Sequence, residues 1–160
     1  MDQDIIYYIN LSSKMKGVGR YNGGQLTCVD ENPDKTNKSG IYNFGFDNDA
    51  ADYLYEAKDQ INYRYEIQKK LGRGAFGVVI KCYDHKMKEC IALKILKNWK
   101  KLHKQGKIEI KILETLREQD HENMKNIVRI KEKFTFRSHV CIVFEMLSIN
   151  LYQFIKNNDF

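Results

Sequence analysis

From Leu71 to Lys94 the chain reads LGRGAFGVVIKCYDHKMKECIALK, a glycine-rich turn between two apolar runs and then one lysine inside a third. Gly72, Gly74 and Gly77, followed by Val79, fit the spacing GxGxxGxV. Without Cβ atoms at such places, backbone N–H groups can approach phosphate oxygens closely. Dinucleotide-binding folds share part of this spacing, but there it leads from strand into helix, whereas Val78-Val79-Ile80 continues as strand. The stretch predicts a two-stranded lid over a phosphate. An unliganded hairpin that uses glycine only for its turn is the competing reading.

Lys94 is the next constraint. An ammonium within Ile91-Ala92-Leu93-Lys94-Ile95-Leu96 costs several kcal/mol if buried without an anion. An edge strand with Lys94 facing water would avoid that cost. Further on, Lys104–Glu118 has helical period, and Glu109 shares its apolar face with Ile112, Leu113 and Leu116. One base on the sheet and one acid on the helix that packs against it would satisfy each other. A lysine so oriented can hold a phosphate, although a purely structural ion pair fits the same residues.

The rest of the pattern supplies the frame. Tyr65–Leu71 and Phe76–Tyr83 read as strands joined by Gly72-Arg73-Gly74-Ala75, and Cys90–Leu96 as a third strand after the polar turn Asp84–Glu89. In that third strand Ile91, Leu93 and Ile95 face one way, Ala92 and Lys94 the other. Asn126–Phe136 and His139–Met146 read as two more strands around Arg137-Ser138, and Leu151–Asn157 opens a short helix. The fold class expected is α+β, a five-stranded antiparallel sheet with one packed helix, preceded by a partly ordered extension.

That extension, residues 1–62, is rich in Gly, Asn, Asp and Ser and carries the only proline, Pro33. Ile5–Leu11 and Asp52-Tyr53-Leu54-Tyr55 hold too many Ile and Tyr for a wholly disordered tail, so docking in places is expected, with a mobile insertion near residues 25–44. The chain has 27 Lys+Arg against 21 Asp+Glu, which raises nucleic acid as a partner. Most of the excess lies in Lys97–Lys111, alternating with apolar positions as on a solvated helix face, so nucleic acid is not the expected partner. Cys28, Cys82, Cys90 and Cys141 have no zinc-like spacing and are expected as free thiols in a reducing compartment. The acidic start Met1-Asp2-Gln3-Asp4 and the short apolar piece after it suit neither a signal peptide nor a membrane span. An intracellular soluble protein, cytoplasmic or nuclear, is expected.

Gly72–Val79, then Ala92-Leu93-Lys94, then Glu109 fifteen residues beyond Lys94, resemble the nucleotide-binding lobe of a eukaryotic protein kinase. Phe134-Thr135-Phe136-Arg137-Ser138-His139 and Val143-Phe144-Glu145-Met146-Leu147-Ser148-Ile149-Asn150-Leu151-Tyr152 are similar to the dual-specificity tyrosine-regulated kinases. The segment 45–66, with Gly45–Tyr53, Asp59 and Tyr63–Glu66, resembles the acidic homology box that precedes the kinase domain in that family, with class II spacing. Tyr7–Leu11 with Lys14, Lys16 and Gly17 resembles the class II accessory region, which in the family assists tyrosine autophosphorylation during maturation.

The resemblance implies an extension over 1–62, and a lobe with its hinge and the start of the next helix over 63–160. It implies ATP as ligand, with Gly72, Gly74 and Gly77 over the phosphates, Lys94 on the α- and β-phosphates and Glu109 holding Lys94. It further implies Leu71, Val79, Ala92 and Val128 around the adenine, Phe144 as gatekeeper, backbone groups of Glu145 and Leu147 on adenine, and Asn150 at the ribose. For each apolar position ordinary core packing is the alternative. No HRD, DFG or APE motif occurs in the 160 residues. The resemblance places the catalytic base, the Mg2+ ligands and the protein-substrate groove in a second lobe absent from this sequence. The chain alone is accordingly expected not to turn over. A non-catalytic docking module derived from a kinase is the alternative.

Overall fold

The structure, a computed structural model, describes residues 42–158. The Tyr7–Leu11 motif, Lys14, Lys16, Gly17, Cys28, Pro33 and nearly all of the expected insertion lie outside the described residues. A short 3-10 turn, Asn43–Gly45, is followed by β1 (Gln60–Ile61), β2 (Tyr65–Gly74), β3 (Gly77–Asp84) and β4 (Glu89–Leu96). Helix α1 (Lys100–Gln119) comes next, then β5 (Ile130–Phe136), β6 (His139–Glu145) and α2 (Leu151–Asn157). The strands form one antiparallel sheet in the order β1-β2-β3-β4-β6-β5.

The sheet has six strands where five are expected, because β1 is only two residues long and too short to show a period. The lid hairpin also turns later than the sequence suggests. Gly74 pairs with Gly77, so the strands run through the glycines and only Ala75-Phe76 form the turn. β5 starts at Ile130 rather than Asn126, since the Asp120 carboxylate accepts the N–H groups of Met124 at 2.8 Å and Lys125 at 3.1 Å and holds this connection as a loop. The β2–β3 ladder carries two register shifts, around Gln68 and Leu71 of β2.

Alternation along β4 divides the sheet into two faces. Ile91, Leu93 and Ile95 join Tyr65, Ile67, Val78, Ile80, Cys82, Cys141 and Val143 in the main core, which Tyr53 and Ile61 complete and against which Phe46 and Tyr55 pack. Segment 42–61 therefore contributes directly to covering this outer face. Burial pushes the Cys82 and Cys141 thiols up to about 12, so both are inert. On the inner face Leu96, Ile130, Val140 and Ile142 pack against Ile110, with Leu113 beside them. The helix approaches closely at Gly106, where a Cβ would stand 2.3 Å from Leu96 Cδ1.

The helix face differs from the one expected. Leu102, Gly106 and Ile110, at intervals of four, are its buried residues, whereas Ile112 is 55% exposed. Ile112 lies about 200° around the axis from Ile110, which turns it to solvent. Glu109 sits at the rim of the buried stripe. Lys97 also departs from the solvated-face reading, being buried, whereas Lys101, Lys104, Lys107 and Lys111 are exposed.

Segment 42–61 is anchored by a buried polar node. Asp47 Oδ1 meets Asn43 Nδ2 at 2.8 Å and His139 Nε2 at 2.7 Å, and its Oδ2 accepts from Asn98 Nδ2 at 3.0 Å. His139 is fully buried, and its Nδ1 donates to Leu96 O at 2.7 Å. Across the outer face, Arg64 donates twice to Asp84, at 2.6 and 2.7 Å, and once to Glu132 at 2.6 Å. Burial alone would raise the Asp84 carboxyl, but Arg64 and the N–H groups of Met87 and Lys86 outweigh it and hold the group below its usual range.

Removing one partner from such a buried node leaves the others bare. Asp47→Ala is expected to cost about 3–5 kcal/mol in denaturant unfolding, while the same change at exposed Asp49 stays within about 0.5 kcal/mol. A pH effect follows from His103, which burial, with His139 and Lys107 nearby, holds below the ordinary imidazole range. Unfolding frees it to protonate, so its contribution is present above about pH 6.5 and lost as pH falls towards the lowered value. Thermal midpoints should drop across that window, above the range in which Asp84 titrates, and His103→Gln should flatten the drop.

Candidate functional site

The inner face of the sheet collects the residues singled out by the sequence. Register pairs Gly72 with Val79, Val79 with Lys94, and Ala92 with Phe144, and paired residues of antiparallel strands share a face. Gly72, Val79, Ala92, Lys94 and Phe144 therefore line one surface. Strand pleating turns Lys94 away from the core formed by Leu93 and Ile95, and α1 brings Glu109 over it. Lys94 Nζ and Glu109 Oε1 stand 2.5 Å apart, both side chains partly exposed. Beside the pair opens a cavity of about 130 Å³ lined by Phe76, Lys94, Leu96, Leu102, Gln105, Gly106 and Glu109.

The three glycines of the lid have different physical reasons. A Cβ on Gly77 would lie 2.1 Å from Ile95 O and 2.9 Å from Leu96 Cα, and its φ is +153°, so close strand packing requires glycine there. A Cβ on Gly72 or Gly74 would meet nothing within 4 Å. Packing places no demand on those two, and they leave open backbone on the face that holds Lys94.

Around the hinge the picture is mixed. Leu71 is 40% exposed at the β2 bulge. Val128 is half-exposed and lines a small separate crevice with Leu116, Arg117, Asp120, Ile127 and Arg129. Glu145 commits its N–H to Arg129 O at 3.2 Å, and its side-chain Oε1 accepts from Arg129 N at 2.8 Å. Leu147 is exposed. Asn150 caps α2, its Oδ1 accepting from Gln153 N at 2.8 Å, which leaves its amide nitrogen for any further partner. Leu147, Ile149, Leu151, Tyr152, Phe154 and Ile155 all expose apolar surface along this end.

Two features of the site escape sequence reasoning. Gly106 lets α1 lie close enough for Glu109 to reach Lys94, and the spacing of four in Leu102-x3-Gly106-x3-Ile110 is the signal that marks it. The Arg73 guanidinium, between two glycines of the lid, pairs with buried Asp52. That long-range contact leaves no local trace in the sequence.

Comparison with known proteins agrees with this geometry. A family model, the protein kinase domain, matches residues 65–160. The chain is 47% identical over 138 residues to human dual specificity tyrosine-phosphorylation-regulated kinase 4, an alignment covering 86% of this chain and 26% of that protein. It is 42% identical over 161 residues to a Drosophila melanogaster putative dual specificity tyrosine-phosphorylation-regulated kinase 3 homolog, covering 99% of this chain and 19% of the relative. It is 47% identical over 121 residues to the Caenorhabditis elegans kinase mbk-2, covering 76% and 15%. The chain thus spans about a quarter or less of the relatives it matches. With a matching family model over 65–160 and a six-stranded sheet carrying a lysine–glutamate pair under a glycine-rich lid, the chain belongs to the protein kinase family, its lobe similar to those of the dual-specificity tyrosine-phosphorylation-regulated kinases.

Proposed function

We propose that this chain is the ATP-binding lobe of a dual-specificity Ser/Thr/Tyr protein kinase, which transfers phosphate from ATP to protein hydroxyls when joined to a second lobe. The observation that carries this reading is the Lys94–Glu109 pair beside a cavity and beneath glycines that packing does not require. Gly72 and Gly74 offer backbone N–H groups to phosphate oxygens, and Lys94 neutralises the α- and β-phosphates. Glu109 fixes the lysine's position. Leu71, Val79, Ala92 and Val128 flank the adenine, and Phe144 closes the space behind it. Glu145 turns its carbonyl to the base, since its N–H is spent on Arg129, and Leu147 adds a backbone group. Asn150 reaches the ribose with its amide nitrogen.

The supporting fit is steric: the positions a Cβ would fill on Gly72 and Gly74 are empty, and the cavity nearby presents Lys94 and Gln105 among its lining residues. Mg2+ would accompany the nucleotide and shield its charge. No cluster of His, Cys, Asp or Glu suited to a metal occurs among the described residues. Protein substrates are assigned to the second lobe. The exposed apolar residues of the hinge and α2 suit a junction with it.

Calorimetric titration with Mg-ATP tests the reading. Lys94→Met is expected to abolish binding. Gly72→Ala or Gly74→Ala should weaken it about tenfold, or about 1.4 kcal/mol, with little change in thermal midpoint. Binding that survives Lys94→Met would sink the proposal. In the protein that carries both lobes, Glu109→Gln should lower kcat about 100-fold or more by loosening the lysine.

A further inference from the structure

Arg73 lies between Gly72 and Gly74, and strand alternation sends its side chain to the opposite face of the lid from the nucleotide surface. There it meets the carboxylate of Asp52, a residue only 7% exposed and contributed by the segment that precedes the sheet. Asp52 is itself held rigidly. Asn48 Oδ1 accepts from Ala50 N at 3.0 Å and from Asp52 N at 2.9 Å, and Asn98 N donates to Ala51 O at 2.9 Å. Lys97 joins the two elements: its Nζ lies 3.4 Å from Asp52 Oδ2, its backbone N–H donates to Phe76 O at the lid tip, 3.0 Å away. Asp52 Oδ1 is buried with no hydrogen-bond partner, and Oδ2 gathers the two cations together with Asn48 Nδ2 at 3.4 Å, so the charge of the carboxylate is met by Arg73 and Lys97.

We propose that Asp52 and Arg73 form a latch that seats the glycine-rich lid from behind, making Asp52 a positioning residue for the nucleotide. This rests on the nucleotide reading above for its effect on ATP, though not for its effect on the lid. The latch makes docking of residues 47–53 and seating of the lid one equilibrium. Whatever displaces that segment loosens the lid, and by reciprocity a nucleotide beneath the lid tightens the segment.

Hydrogen exchange of the amides in residues 71–78, measured on the 160-residue chain without nucleotide, tests the latch directly. Arg73→Ala is the suitable variant, because Arg73 is half-exposed and Lys97 still compensates Asp52 when it is gone. It is expected to speed exchange in the hairpin about tenfold while β4 and β6 stay unchanged. Arg73→Lys, which keeps the charge, should recover much of the protection. Asp52→Asn enters from the other partner and should give the same local pattern. Unchanged hairpin exchange in Arg73→Ala, or an increase spread over the whole sheet in both variants, overturns the latch. A second arm titrates the parent and Arg73→Ala with Mg-ATP, and a weakening of about fivefold is expected. Equal affinities overturn the positioning role. A parent that binds no Mg-ATP refutes the nucleotide reading instead, and the exchange arm still decides the latch.

Discussion

An ammonium placed in the middle of a central strand must meet an anion, and much of this lobe is arranged so that Lys94 does. β4 has neighbours on both sides, so Lys94 cannot escape to an edge. Its counter-charge has to come from above the sheet, which calls for a helix that lies close and presents an acid at its rim. Gly106 permits the close approach, and Leu102, Ile110 and Leu113 fix the roll. Glu109, one position before Ile110, then falls over the lysine. The pair is thus a product of helix packing as much as of Coulomb attraction. In a partly exposed setting the attraction alone contributes little.

Much of this was legible in the residues. The alternation of Ile91, Leu93 and Ile95 against Ala92 and Lys94 reads directly off the strand, and so does the need for Glu109. The limits came from geometry that has no local signal. The sequence pattern points to a helix face one step round, through Ile112, because three isoleucines at 108, 110 and 112 blur the period. The sequence places the hairpin turn at Gly72–Ala75, whereas all three lid glycines sit within strands and only Gly77 is required by packing. β1 is too short to show a period, and the contacts of Asp47 with His139 and of Asp52 with Arg73 span 92 and 21 residues. Pairings of that range are invisible to any window-based reading.

Segment 42–61 gives the outer face of the sheet an apolar cover and two charged anchors. Tyr53 packs edge-on to Phe136 and His139, and the Arg137 guanidinium lies 3.8 Å over the Phe46 ring while donating to the Tyr53 hydroxyl. One face of the sheet is therefore completed by residues that precede most of it in the chain, and the other by α1, which is inserted between β4 and β5. The surface that holds Lys94 and Glu109 is the part neither fully covers.

The two register shifts in β2 bear on how such a lobe behaves among its own copies. Past Ile67, among the described residues, no strand pairs with the outer edge of β2, and a straight edge there would be a template for adding a foreign strand. The bulges around Gln68 and Leu71 in the β2–β3 ladder bend β2 and interrupt its regular spacing, and exposed Lys69 and Lys70 put like charges along the same stretch. A second molecule brought edge to edge would face a mismatched ladder and electrostatic repulsion together. The irregularity that exposes Leu71 at the mouth of the site also guards the sheet against self-association.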